Sequence, residues 1–149
     1  MEVQKDFKEL LELFNVHKVK YLIVGGYALA YHGAPRYTGD IDMFVKPDIE
    51  NALNILKALR EFGFGSVGLK PEDFQSPGKV IQLGYPPVRI DIITSMSGIS
   101  SWDKAFKECD KGKYGDVPVC YIGRDHYVLN KRASGRKKDL ADLEALGEE

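Results

Sequence analysis

The chain has 149 residues, of which 44% are hydrophobic and 29% charged, and its formal net charge is −1. That is the length of one ordinary domain, expected to span 1–149, with enough apolar residues for a packed core and a composition that excludes disorder. The near-neutral balance excludes a protein that coats nucleic acid through overall basicity, but not a local basic patch.

The two cysteines, Cys109 and Cys120, match no zinc or redox spacing. They read as two isolated core thiols in a reducing compartment. The N-terminus is charged from its second residue and has no apolar signal core. The longest uncharged stretch, residues 21 to 35, is interrupted by glycines, a histidine and a proline. It falls short of the roughly 20 apolar residues a membrane span needs. A soluble, cytoplasmic protein with no membrane partner is expected.

In chain order, Val3, Phe7, Leu10, Leu11 and Phe14 recur at helical spacing and predict an amphipathic helix ending near His17. Residues 21 to 24 form a short apolar run before Gly25-Gly26 and read as a buried strand. Residues 27 to 32 predict a short helix, terminated at Gly33 with Pro35 beyond. Residues 40 to 46 alternate as a strand. Pro47 and Asp48 open the next helix, with Asp48 as N-cap, and Leu53, Leu56, Leu59 and Phe62 stripe its buried face up to Gly63. Residues 63 to 78 are rich in Gly, Pro and Ser and read as loop. Residues 79 to 84 and 88 to 94 predict two strands around a Pro86-Pro87 turn. Ser100 or Ser101 caps a short helix carrying Trp102, Ala105, Phe106 and Cys109. Residues 113 to 122 read as a hairpin or edge strand, and two helices split by Gly135 close the chain, the last striped by Leu140, Leu143 and Leu146. The mixture predicts an α+β fold, a small mixed or antiparallel sheet with helices packed on one face.

Three units carry chemistry. In the first, a strand enters Gly25-Gly26 and then a helix. Glycine lets backbone approach a bulky anion, and a helix N-terminus offers N–H groups to phosphate. A tight turn explains the same residues. In the second, Asp40 and Asp42 share one face of a strand while Ile41 and Met43 take the other. Two carboxylates about 5 Å apart repel by roughly 3 kcal/mol at an effective dielectric near 20. A cation between them removes that cost, and oxygen-only ligation fits Mg²⁺ or Mn²⁺ completed by triphosphate oxygens and water. The rival is a solvated strand edge. In the third, Asp91 is a lone acid within the β-forming run Val88-Arg89-Ile90-Asp91-Ile92-Ile93. A buried carboxylate without a partner is expensive, so Asp91 is expected to join the same cluster from a neighbouring strand. Arg89, on its face, is either a salt-bridge partner or a substrate contact.

Gly25-Gly26, then Arg36-Tyr37-Thr38-Gly39-Asp40-Ile41-Asp42, then the single Asp91, in this order, resemble the nucleotidyltransferase superfamily with its DNA polymerase beta-like fold. The branch most similar is the abortive-infection type, with antibiotic nucleotidyltransferases beside it. The closing stretch from Ala133 to Leu143, ASGRKKDLADL, is similar to the end of the abortive-infection type domain. The resemblance covers roughly residues 19 to 146. It implies an enzyme transferring a nucleoside monophosphate from ATP or another nucleoside triphosphate to a hydroxyl acceptor, either RNA such as tRNA or a small molecule. Asp40, Asp42 and Asp91 would be catalytic and hold Mg²⁺ or Mn²⁺, with Asp91 also helping to deprotonate the acceptor. Gly25 and Gly26 would line the triphosphate. Arg36, Thr38 and Lys138 are further nucleotide-binding candidates; the rival for Arg36 and Thr38 is a structural loop role, and for Lys138 a solvated cationic face with Arg136 and Lys137. A toxin-like enzyme of this kind would have an antitoxin partner. The basic cluster Lys131, Arg132, Arg136, Lys137 and Lys138 favours RNA, and the near-neutral net charge opposes it. The chain leaves little room for a separate acceptor-binding domain, which points to a small acceptor, one supplied by a partner, or lost catalysis. The competing function is a non-catalytic nucleotide- or metal-binding module that kept the fold.

Overall fold

The computed structural model describes residues 3–148. In chain order these form α1 (Lys5–Val16), β1 (Tyr21–Val24), α2 (Gly25–Tyr31), β2 (Asp40–Val45), α3 (Ile49–Leu59), β3 (Val80–Tyr85), β4 (Val88–Ile93), α4 (Trp102–Lys107), β5 (Asp110–Tyr114), β6 (Val117–Tyr121), α5 (Arg124–Ser134) and α6 (Lys137–Ala145). One sheet takes all six strands in the order β3-β4-β2-β1-β6-β5. The β2–β4 and β1–β6 pairs are parallel, and the other three pairs are antiparallel. This is the expected α+β class with a mixed sheet.

Strand alternation sorts side chains between two cores. Ile23, Ile41, Met43, Val45, Ile90 and Ile92 point to the larger one, where Phe7, Leu10, Leu11 and Phe14 of α1 and Ala52, Ile55 and Ala58 of α3 cover them. Leu22, Val24 and Phe44 point to the smaller one, under Ala28 and Leu29 of α2, Trp102 and Ala105 of α4, and Tyr127 of α5. Helices therefore extend over both faces, one more than the single covered face expected. On the second face Trp102 packs edge-on to Phe44 at 6.3 Å. Only the C-terminal half of β2 is occupied by that apolar contact. The N-terminal half, with Asp40 and Asp42, stays clear.

Asp48 caps α3 as expected, its side chain accepting from Asn51 N–H. The buried face of α3 is shifted, however. Ala52, Ile55, Ala58 and Leu59 are buried, whereas Leu53 is 45% exposed. Of the expected stripe, Leu59 is buried and Leu56 and Phe62 pack against the core, but Leu53 does not, because alanines carry half of the buried face and let α3 lie close to the sheet. The 63–78 loop is anchored by fully buried Phe74, which its polar composition conceals. The hairpin expected near residues 113 to 122 is β5–β6. Cys109 and Cys120 are free but not isolated. Burial and then the neighbouring Cys120 thiol push Cys109 up to about 11.

One buried amide ties α3 to the sheet. Asn51, 3% exposed, accepts from Lys20 N–H at 2.7 Å and donates to the carbonyls of Lys20 and Lys46, both at 3.0 Å. Lys20 precedes β1 and Lys46 follows β2, so one side chain closes the ends of two strands. Asn51→Ala leaves those backbone groups unpartnered and is expected to cost about 2–4 kcal/mol in urea unfolding. A loss under about 1 kcal/mol would mean that water replaces the amide.

Candidate active site

β1 passes into α2 without a connecting loop, so Gly25 and Gly26 form the first turn of the helix itself rather than a turn before it. Gly25 has φ +65, and a Cβ there would collide with the Asp42 carboxylate. Both the conformation and the contact require glycine. Gly26 differs. It is buried, and a Cβ would meet the Thr38 side chain at 2.9 Å. A branched residue at Gly26 would therefore displace Thr38 as well as obstruct a ligand.

Thr38 organises the entry to β2. Its hydroxyl donates to the Asp40 carbonyl at 3.1 Å. Beside it, Arg36 forks onto Asp142 of α6, Nε to Oδ1 at 3.2 Å and Nη2 to Oδ2 at 3.3 Å.

The parallel β2–β4 register sets Asp42 opposite Asp91 and Asp40 opposite Arg89. All four side chains lie on the second face of the sheet, in one cavity of about 480 Å³. Gly25, Gly26, Arg36, Thr38 and Lys138 line the same cavity. The structure thus brings every sequence-selected site residue to one place. Arg89 donates to Asp91 through Nε at 3.1 Å and Nη2 at 3.3 Å, and its Nε lies 4.0 Å from Asp40 Oδ2. The anticipated salt bridge of Arg89 is present.

Burial pushes the Asp42 carboxyl up to about 7, with Asp91 and then Asp40 adding to it and Lys138 opposing. Asp42 therefore holds its proton to higher pH than an ordinary carboxyl. Among the described residues, no group of three or more His, Cys, Asp and Glu forms a ready-made metal cage. The donor set still suits a hard divalent cation: two facing carboxylates, oxygen only, in a cavity large enough for a triphosphate to complete the coordination. A proton on Asp42 relieves the same repulsion that such a cation would relieve.

The far wall holds residues with no distinctive sequence signal, Ser95, Ser97, Asn130 and Ser134, together with Lys131 of the basic cluster. Asn130 donates to the Ser97 carbonyl at 3.0 Å and so fixes the loop after β4 against α5. Lys131 is 7% exposed and pairs with Asp139 at 3.2 Å and Asp142 at 3.4 Å. Arg136 pairs with Asp139 at 2.9 Å. Burial alone would raise Asp139, but hydrogen bonds from Arg136 and Lys131 hold it below its usual value. The leucine stripe anticipated for α6 holds at buried Leu143 and at Leu146, which packs against the smaller core, but fails at Leu140. Leu140 is 53% exposed, and the helix buries Asp139, Asp142 and Leu143. The anticipated basic cluster also shrinks as an open surface, since Lys131 and Arg136 are committed to these acids and Arg132 lies 3.7 Å from Glu148.

A parallel pair of acid-bearing strands, a glycine turn packed on the first acid and a helical C-terminal wall define the nucleotidyltransferase class. Residues 12–107 match the family described as nucleotidyl transferase AbiEii toxin, type IV TA system, and the chain belongs to that family. The matched region includes the glycine turn and all three acids. It stops before α5 and α6, where similarity was also expected. A putative nucleotidyltransferase from Thermotoga maritima superposes with a TM-score of 0.63 at 17% identity, over 93% of this chain and 88% of that one. The antibiotic-resistance factor ANT(2'')-Ia gives 0.61 at 13% identity, over 95% and 80%. Lincosamide antibiotic adenylyltransferase LnuA gives 0.57 at 15% identity, over 99% and 98%. These likenesses establish the shared fold. No curated protein matches the sequence. No helix among the described residues is long and apolar enough to cross a membrane.

The raised Asp42 has a measurable consequence. Its ordinary value is 3.8, so between about pH 4 and 7 the native state holds the proton more tightly than the unfolded chain. Stability of the metal-free protein therefore falls as pH rises through that window. Asp42→Asn removes the ionisation. With chelator present, it is expected to raise stability at pH 8 by on the order of 2 kcal/mol and to change it little at pH 4. Equal effects at both pH values would show that Asp42 ionises without cost.

Proposed function

We propose that residues 1–149 act as a single metal-dependent nucleotidyltransferase domain, moving a nucleoside monophosphate from a nucleoside triphosphate to a hydroxyl acceptor. The observation carrying this reading is the in-register placement of Asp42 and Asp91 on adjacent parallel strands, beside the Gly25-Gly26 turn. In this reading Asp40, Asp42 and Asp91 hold Mg²⁺ or Mn²⁺. The cation would supply charge stabilisation at the attacking and leaving oxygens of an in-line displacement. Gly25 and Gly26 admit the triphosphate close to the backbone, and Lys138, exposed at the start of α6, meets its negative charge. Thr38 and Arg36 hold the segment leading into Asp40. Asp91 takes the proton of the acceptor hydroxyl, and its bond to Arg89 must loosen for it to do so. Positioning and fixed charge provide most of the rate. The acceptor is RNA or a small hydroxyl compound, the setting is cytoplasmic, and an antitoxin is the natural protein partner given the family.

A second reading, a module that binds nucleotide without transferring it, is favoured by one feature. Arg89 already occupies both oxygens of Asp91. Incubation with each labelled nucleoside triphosphate, Mg²⁺ or Mn²⁺ and total cellular RNA or small-molecule extract separates the two. Transfer of label that stops on chelation supports the enzyme. Nucleotide binding with no labelled product under any condition supports the module.

The acids are expected to differ under substitution. Asp91→Asn should leave triphosphate affinity nearly intact and slow transfer several hundredfold, corresponding to roughly 3–4 kcal/mol of lost transition-state stabilisation. Asp42→Asn should weaken affinity and turnover together. Nucleotide affinity and single-turnover rates of both variants provide the check, and wild-type turnover by Asp91→Asn would make Asp91 a structural acid.

A further inference from the structure

A second cavity, of about 460 Å³, adjoins the acidic one across Arg36 and Thr38, which line both. Its character is different. Tyr27, Pro35, Tyr37 and Pro87 give it flat apolar walls, and Gln4 adds an amide able to donate and accept. Among the described residues, none of its lining side chains is acidic. Its lining cation, Arg36, is already neutralised by Asp142.

Tyr37 stands at this cavity with 87% of its surface exposed, between the two shared residues in sequence. The fold gains nothing from holding this tyrosine ring in water. An aromatic ring held open beside a neutral slot suits stacking by a flat ring, and one such stack is commonly worth roughly tenfold in affinity or more. Among the described residues the slot offers a polycation no counter-charge, because the nearby carboxylates lie in the other cavity.

We propose that this cavity is the acceptor subsite, and that it takes an uncharged heteroaromatic ring of nucleobase type whose attached hydroxyl reaches the acidic cavity past Thr38. It turns away polycationic amino sugars. The assignment as acceptor subsite rests on the transferase reading, whereas ring binding at Tyr37 does not.

The probe is 2-aminopurine riboside, whose fluorescence is quenched by stacking. It is titrated into the protein with and without Mg²⁺ and a non-hydrolysable α,β-methylene triphosphate that fills the acidic cavity. Saturable quenching is expected in both conditions. Tyr37→Ala, at a surface position that cannot upset the core, should raise the dissociation constant about tenfold or more, and Tyr37→Phe should restore it. Excess tobramycin, a polycationic amino sugar, should not displace the riboside. A dinucleotide carrying the same base at its 3′ end separates the sources of such a ring. Affinity equal to the riboside's supports free nucleosides as ligands, and tighter binding supports the end of a polynucleotide. Absence of saturable quenching, an unchanged constant in Tyr37→Ala, or displacement by tobramycin overturns the proposal. Failure of the triphosphate analogue to bind, with the riboside still bound through Tyr37, overturns the transferase reading and with it the acceptor role, while leaving the ring site standing.

Discussion

The structure is organised around a repulsion. Asp42, half-buried, and Asp91, buried, face each other across two parallel strands, where two ionised carboxylates oppose folding. Several neighbours answer that cost. Arg89 forks onto Asp91, the Lys138 cation favours the ionised form of Asp42, and the raised Asp42 carboxyl holds its proton to higher pH. Hydrophobic burial on the opposite face of the same strands supplies the stabilisation that allows the arrangement to persist, since Ile41, Met43, Ile90 and Ile92 are all fully buried. Each strand thus has one face that holds the protein together and one that is held under electrostatic tension.

The C-terminal helices belong to this arrangement rather than decorating it. Lys131, Asp139 and Asp142 are buried charges that satisfy one another, and Asp142 also accepts from Arg36, just upstream of the first acid. A buried pair contributes little net stability against an apolar alternative, but breaking one partner is costly. The network therefore fixes geometry more than it adds stability. It also explains why a run of basic residues at the end of the chain does not produce an open basic surface.

Much of this was legible in the sequence where local rules decide. Period-two alternation placed Asp40 and Asp42 on one face, and the isolated acid in a β-forming run singled out Asp91. Gly25 was recognised for its closeness to an anion, although the anion it touches within the protein is Asp42. The residues that were missed depend on contacts between distant segments. Nothing local distinguishes Ser97 and Asn130 from ordinary turn and helix residues until the loop after β4 meets α5. The errors on α3 and α6 share a cause. Leucines were assumed to mark buried faces, but α3 packs close on small residues and α6 is held by ion pairs, so Leu53 and Leu140 are left in solvent. Charge pairing across more than a hundred residues, as between Arg36 and Asp142, has no signature in either segment alone.

The link between Arg36 and Asp142 also bears on the life history of the molecule. Synthesis runs from the N-terminus, so the strands bearing the three acids emerge well before α6. Until that helix has been made and docked, Arg36 lacks its carboxylate partner and Lys131 lacks both of its counter-charges. A nascent or C-terminally clipped chain can form the central strands, yet the segment entering Asp40 is not pinned. The acidic cavity is thus completed only once α6 has been made and docked, which delays any activity it supports until then.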